Sequence, residues 1–346
     1  MFLENILIIN FLICFTIYLI NYKYRFEISK KLKIIDIPDN KRKFHKRPTP
    51  LNGSLWFIIF ALIFLIESIF LDNFLDKNFR LIFVSTIIIY IVGYVDDRKS
   101  INPNLRLLLY FITFYILVSL NENFQLNVIY FESLGFELKT SVFGTLFTAF
   151  CLTAFINSIN LIDGINALAN SIVSLILLII FVKFEITNLI IAIFLFFLIL
   201  NCFFVFKGKY FIGDSGSLSI STFVGLLIIL NYNSKYSGIN LNLFNAEDIF
   251  ILMAFPGLDM IRVFFERLIK KKNPFHPSRE HLHHYLLKKH SLLTTLIIYV
   301  SFAFAPAISN YVFQDLFYTT YNLFACIIFY IALLKYSNHI NLKKIK

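Results

Sequence analysis

Residues 187–231 read TNLIIAIFLFFLILNCFFVFKGKYFIGDSGSLSISTFVGLLIILN. Two apolar stretches, 187–206 and 214–231, flank a short turn holding Lys207, Lys209, Gly213 and Asp214. Each approaches the roughly 20 mostly apolar residues that a helix needs to cross a bilayer. The pattern is a pair of membrane spans with polar chemistry confined to their shared end.

The same pattern fills the chain. Of 346 residues 58% are hydrophobic, 43 are Phe and only 15% are charged, against about 25% in a soluble domain. About eleven apolar stretches are expected as spans, or ten if the shorter ones do not cross. They lie near 2–21, 54–71, 80–95, 105–120, 141–157, 166–182, 187–206, 214–231, 247–265, 291–309 and 316–334. The fold class is therefore an all-α polytopic membrane bundle, read as one domain over 1–346 with its chemistry in loops. No basic region precedes the first span and no small-residue cleavage site follows it, so it reads as a retained helix. Cys14, Cys151, Cys202 and Cys326 all fall inside apolar stretches and read as packing residues. Residues 121–140 partly alternate around a Gly and predict a small hairpin.

Charge predicts orientation. With the N-terminus outside, the inner loops and tail hold 27 of the 32 Lys and Arg residues. The outer loops keep Lys77, Arg80, Lys139, Lys183 and Lys235, as expected if cytoplasmic loops carry the excess. The net charge of +11 then sets topology and attracts anionic lipid; nucleic acid is not an expected partner.

Four polar clusters fall on the predicted inner face. Asp96 and Asp97 end the third span in GYVDDRKS. Neighbours on a helix point about 100° apart, so one can face a cavity as a base while the other orients it or touches a metal. The plain alternative is a solvated helix end. The run Asn157-Ser-Ile-Asn160-Leu-Ile-Asp163-Gly-Ile-Asn166 repeats its polar side chains every three residues. On a helix or tight turn they would share a face, suited to nucleoside contacts or to oxygen ligation of Mg²⁺. Helix capping explains one or two of them. In Phe211-Ile-Gly213-Asp214-Ser-Gly-Ser217 a Gly/Ser-rich helix start offers free N–H groups to a phosphate. Asp214 fits there if a metal bridges it to the anion; a simple N-cap is the alternative. The fourth cluster holds Arg262, Lys270–Lys272, Arg279, His281, His283 and His284, donors suited to a diphosphate. Zinc competes poorly, because no HExxH is present and adjacent histidines make poor joint ligands. Lys43 and His45, in KRKFHKRPTP, add cationic donors from the first inner loop.

Together these motifs resemble the polyprenyl-phosphate N-acetylhexosamine-1-phosphate transferases, the WecA/MraY family, over about residues 36–290. The carriers are DIPDNKRKFHKRPTP, GYVDDRK, NSINLIDG, GDSGS and NPFHPSREHLHH, the last in the form of the WecA-like branch. Three features depart from the family pattern. Asn52-Gly53 replaces Gly-Gly after PTP; Asn166-Ala167 replaces the Asp-Gly of the frequent DGxDG; and the histidine loop lacks the form of the branch using a peptide-bearing muramyl donor.

The resemblance implies transfer of a UDP-linked N-acetylhexosamine-1-phosphate to polyprenyl phosphate at the bacterial inner membrane, with release of UMP. It implies Mg²⁺, replaceable by Mn²⁺, held by Asp214 and Asn160, with Asp96 or Asp97 accepting a proton from the lipid phosphate or orienting it. Asn157, Asp163, Asn166 and Ser217 would contact the nucleotide sugar and Phe211 would stack on uracil. Lys43, His45, Arg262, Arg279, His281, His283 and His284 would face phosphate. A homodimer is compatible with the family. A transporter is the generic alternative, but it would set its ionisable residues near the midplane, whereas here they sit at span ends. Other lipid enzymes fit less well: an outward-facing glycosyltransferase wants its acids outside, and a CDP-alcohol phosphotransferase wants Ala-Arg after its Asp-Gly.

Overall fold

A computed structural model describes residues 2–38, 47–71, 74–183, 189–236, 244–275, 278–313 and 315–338. Among the described residues, eleven long helices account for the eleven apolar stretches. They are α1 (Phe2–Lys23), α3 (Leu55–Phe70), α4 (Lys77–Arg98), α5 (Pro103–Leu120), α6 (Gly144–Ile162), α7 (Leu168–Lys183), α8 (Leu189–Phe206), α9 (Gly213–Tyr236), α10 (Ala246–Ile269), α12 (Leu292–Phe313) and α13 (Leu316–Asn338). Two short helices, α2 (Arg25–Leu32) and α11 (Leu282–Leu287), lie in the connections at one end. Eight of the long helices are long and apolar enough to cross a membrane; α3 and α7 are apolar but shorter. The remaining one, α10, carries Glu247, Asp248, Asp259, Arg262, Glu266 and Arg267. The chain is a multi-pass membrane protein.

Several helices overrun their apolar stretch, since polar residues cap or extend them. Asp76 accepts the Phe79 N–H at the start of α4, and Asn102 with Pro103 opens α5. Most consequentially, α4 includes Asp96 and Asp97, and α6 runs on to Ile162. Asn157 and Asn160 therefore sit on helix rather than in a loop.

At the centre stands α9, with 89% of its apolar window buried, against 22% for α1 and for α5 at the rim. Its small residues explain this. Ser215, Ser217, Ser219, Ser221 and Thr222 are all buried, and the last three hydroxyls donate back to carbonyls of their own helix. Small faces admit close neighbours. A Cβ on Gly93 of α4 would lie 2.6 Å from the Ser215 Cα, so only glycine lets the two helices touch there. An aromatic cluster (Trp56, Phe57, Phe60, Phe83, Phe194, Phe197, Phe223) then packs α3, α4, α8 and α9 together, with centroid separations of 4.3 to 6.4 Å.

At one end β3 (Val128–Phe131) pairs antiparallel with β4 (Phe136–Lys139), Val128 facing Lys139, as the alternation predicts. Tyr232 fastens this hairpin to α9, its hydroxyl donating to the Val128 carbonyl and accepting from the Tyr130 N–H. The other end is pinned by β1 (Ile35–Asp36) against β2 (Thr49–Pro50), a pairing too short to be legible in sequence. From β2 the chain docks onto the turn before α9: Phe211 N–H bonds Pro50 O, and Gly53 N–H bonds Phe211 O. Asn52, one of the departures from the family motif, is fully buried; its amide donates to Asn21 Oδ1 of α1, and the Asn21 amide donates back to the Asn52 backbone carbonyl.

Candidate active site

The start of α9 is built around Asp97. Its carboxylate accepts the backbone N–H of Asp214 at 2.8 Å and of Ser215 at 3.0 Å. Gly213 has φ +70°, and a Cβ there would stand 2.6 Å from an Asp97 oxygen. Glycine is thus required both for the left-handed turn and for the approach of the carboxylate. The helix start expected to hold a phosphate on free N–H groups is instead capped by a side chain from α4.

Asp96 points away from this cap, as the 100° offset requires. It accepts the Ile101 N–H at 2.6 Å and pairs with Arg106 of α5. Arg106 also reaches Asp214 Oδ2 at 3.1 Å, so one guanidinium bridges two carboxylates. The reading of the motifs did not single out Arg106; the only signal was a lone cation at the head of an apolar span. On the other side, Asn160 donates to Asp214 Oδ1 at 2.9 Å and to Ser217 Oγ at 2.9 Å. Ser217 is buried and also donates to the Gly213 carbonyl. It positions Asn160 rather than facing a ligand, contrary to expectation. The three-residue spacing also fans out. Asn157 turns to Met260 of α10, 3.6 Å from its sulfur, whereas Asn160 turns to α9.

Asp163 caps the end of α6 and is half-buried. Desolvation, then the charges of Asp214 and Asp97, push its carboxyl well above the usual range. Four carboxylates thus share one region with a single bridging guanidinium. That excess of hard oxygen donors suits a divalent cation. Among the described residues no three His, Cys, Asp or Glu side chains form a ready-made metal cage. Mg²⁺ needs none, taking one or two carboxylates and completing its shell with water and substrate phosphates. As placed, Asn160 presents its nitrogen to Asp214, so ligation through its oxygen requires the amide to turn.

The histidine loop is held from below by Asp259 of α10, which is fully buried. Asp259 accepts from His281 Nδ1 (2.8 Å), Leu282 N–H (3.0 Å), Arg262 (2.8 Å) and Tyr330 of α13 (2.9 Å). Arg262, expected to neutralise phosphate, bonds Asp259, Glu266, the Glu280 carbonyl and Tyr330. It clamps the loop. The sequence reading missed Asp259 and Tyr330, which look like isolated polar residues in apolar helices. His283 and His284 lean on the Asp163-Gly164 turn: a Cβ on Gly164 would be 2.7 Å from His283 Nε2 and 2.9 Å from His284. Burial first, then the neighbouring His281, lowers the His284 pKa to about 4; His283 is also lowered, by burial and then by His284. Both rings are therefore neutral near pH 7 in the free protein, not the cations anticipated. They offer polar N–H groups, and His283 has both ring nitrogens buried without a partner among the described residues.

Asn166 lies beside the Lys207–Lys209 turn, its Nδ2 3.7 Å from where a Gly208 Cβ would stand. Ala167 adopts φ +69°, the left-handed geometry for which the family's glycine is suited. Phe211 is half-buried and Arg279 lies half-buried in the histidine loop. Lys43 and His45 lie outside the described residues.

An all-helical membrane bundle with an acidic site at its span ends is the class these features define. The family model described as Glycosyl transferase family 4 matches residues 79–232, a range containing the acid pair, the asparagine run and the α9 start. Over that range the chain is similar to this family. It is 26% identical over 284 residues to the undecaprenyl-phosphate alpha-N-acetylglucosaminyl 1-phosphate transferase of Salmonella typhi, covering 76% of this chain and 71% of that one. The protein of the same name from Escherichia coli (strain K12) is 27% identical over 277 residues (76% and 71%). That from Thermotoga maritima is 24% identical over 279 residues (80% of each).

Proposed function

We propose that this protein transfers the sugar-1-phosphate of a UDP-N-acetylhexosamine to polyprenyl phosphate, giving polyprenyl-diphospho-sugar and UMP. The observation that carries the reading is an apolar cavity on the same helices whose ends carry the polar site. A cavity of about 350 Å³ is lined by Leu152, Phe155, Ile228, Met253 and Ile261 among others. These residues stand on α6, α9 and α10, the helices that also carry Asn160, Asp214 and Asp259. A charged site sharing its helices with a hydrocarbon-sized cavity suits a substrate with a phosphate head and an isoprenoid tail. The names of the relatives support the same acceptor.

Donor and acceptor are both anionic, so the reaction needs positioning and charge neutralisation more than covalent catalysis. Mg²⁺ held at Asp214, with Asn160 turned to it, would neutralise the diphosphate oxygens. Asp96 and Arg106 hold Asp214 in place, while Asp97 fixes the α9 start. An oxygen of the lipid phosphate attacks the sugar-linked phosphorus. A new P–O bond forms, the bond to the bridging oxygen breaks, and UMP leaves with that oxygen. Asp163, Asn166, His283 and His284 would then hold the nucleotide sugar, the imidazoles as neutral donors whose basicity rises beside the diphosphate. The site faces the cytoplasm, because the charge excess of the loops at this end supports that orientation.

The test is direct. Membranes containing the protein are incubated with undecaprenyl phosphate and, in turn, each radiolabelled UDP-N-acetylhexosamine. Label should enter the organic phase with one sugar at least, accompanied by an equal amount of UMP. No labelled lipid with any donor would refute the proposal.

A further inference from the structure

The carboxylates of the site are served by Arg106, Asn160 and backbone amides, yet two buried donors on α5 near them are unused. Tyr110 stands on α5 one turn past Arg106 and is fully buried. Its hydroxyl has no partner among the described residues, although it lies within electrostatic reach of Arg106, Asp214, Asp96 and Asp97. Arg106 Nε, one turn earlier, is likewise buried and unused. Stranding a buried hydroxyl is costly, and such groups in a folded protein call for a reason. Here two idle donors on successive turns of one helix stand beside a cluster of acids. Idle donors in that position define a place for an oxyanion.

Depth says which oxyanion. At 1.5 Å per residue, Tyr110 lies about 6 Å further into the bundle than Arg106. A group held at that depth lies among the apolar spans rather than in the polar loops, which points to the lipid substrate rather than the water-soluble one. A phenol also suits the depth, because it donates to an anion without adding a charge that would itself need desolvation. We propose that the Tyr110 hydroxyl, together with Arg106 Nε, donates to the phosphate of the polyprenyl acceptor. This assignment rests on the transferase reading and adds a substrate-contacting residue to it.

Full-length wild type and Tyr110→Phe, purified in detergent, are assayed for UMP release while each substrate is varied against saturating amounts of the other. Thermal unfolding is followed on the same samples. Losing a hydrogen bond to a charged group should lower kcat/KM for polyprenyl phosphate by about tenfold or more. KM for the UDP-sugar should stay put. Tm should be equal or higher, since phenylalanine fills the same space without a stranded hydroxyl. An unchanged kcat/KM for the lipid, or a change confined to the UDP-sugar, overturns the assignment. So does a lower Tm, which would mean that the hydroxyl has a protein partner. A wild type inactive with every donor sinks the transferase reading itself, whereas an active wild type matched by its Phe variant sinks only the role of Tyr110.

Discussion

His284 shows how far a side chain's surroundings can change its chemistry. Read as a residue type it is a cation for phosphate; packed against Gly164 among other imidazoles it is a neutral ring. The consequence is measurable. Its pKa is 6.5 unperturbed and about 4 in the fold, so between those values the unfolded chain binds more protons. Stability should therefore fall on acidification from pH 6.5 toward pH 4, by up to about 1.4 kcal/mol per unit. Above pH 6.5 the group contributes no slope. Thermal unfolding of wild type and His284→Gln across this window should show the acid limb flattened in the variant. Equal slopes would mean that the ring is already protonated in the fold. Asp163 has the opposite sign, its raised carboxyl favouring the fold at low pH, which is why the comparison is made against the variant.

The polar clusters were legible as motifs because their residue types and order are distinctive. Their partners were not. Arg106, Asp259, Tyr110 and Tyr330 each stand alone in an apolar run, where helical periodicity reads only the apolar face. Nothing local records that Asp259 receives donors from two other segments. The same limit explains Ser217 and Arg262: sequence shows a polar group at a useful place, while structure shows which other atoms already use it.

Elements, by contrast, were largely legible, because each span is a long apolar run and the β3–β4 hairpin alternates. What escaped was how helices tie loops. The histidine loop is anchored by α10 and α13 together, through Asp259, Arg262 and Tyr330, with α13 lying beyond the last motif. Tyr330→Phe removes the hydroxyl shared by Asp259 and Arg262. It should cost about 1–3 kcal/mol and loosen the loop. Trypsin should then cleave between Lys270 and Arg279 faster than in wild type under native conditions. An unchanged cleavage rate would show that α13 does not restrain the loop.

For the molecule as a whole, among the described residues the bundle puts the acids of the site, the imidazoles of the histidine loop and the basic residues around them at one end. An inward-facing site requires single cysteines at Lys99 and Lys288 to resist an impermeant thiol reagent in intact cells, while one at Lys235 reacts. Labelling at Lys99 from outside would place the acid pair away from a cytoplasmic nucleotide sugar.

Exchange of one phosphoanhydride for another conserves bond type, so the proposed reaction should run in both directions, through one transition state. The measurement closest to the central claim is incorporation of radiolabelled UMP into UDP-sugar by the purified protein. Label should enter UDP-sugar only when polyprenyl phosphate or its diphospho-sugar product is present, and Asp214→Asn should abolish it. Exchange without any lipid, or undiminished exchange in Asp214→Asn, would contradict direct transfer at this acidic site.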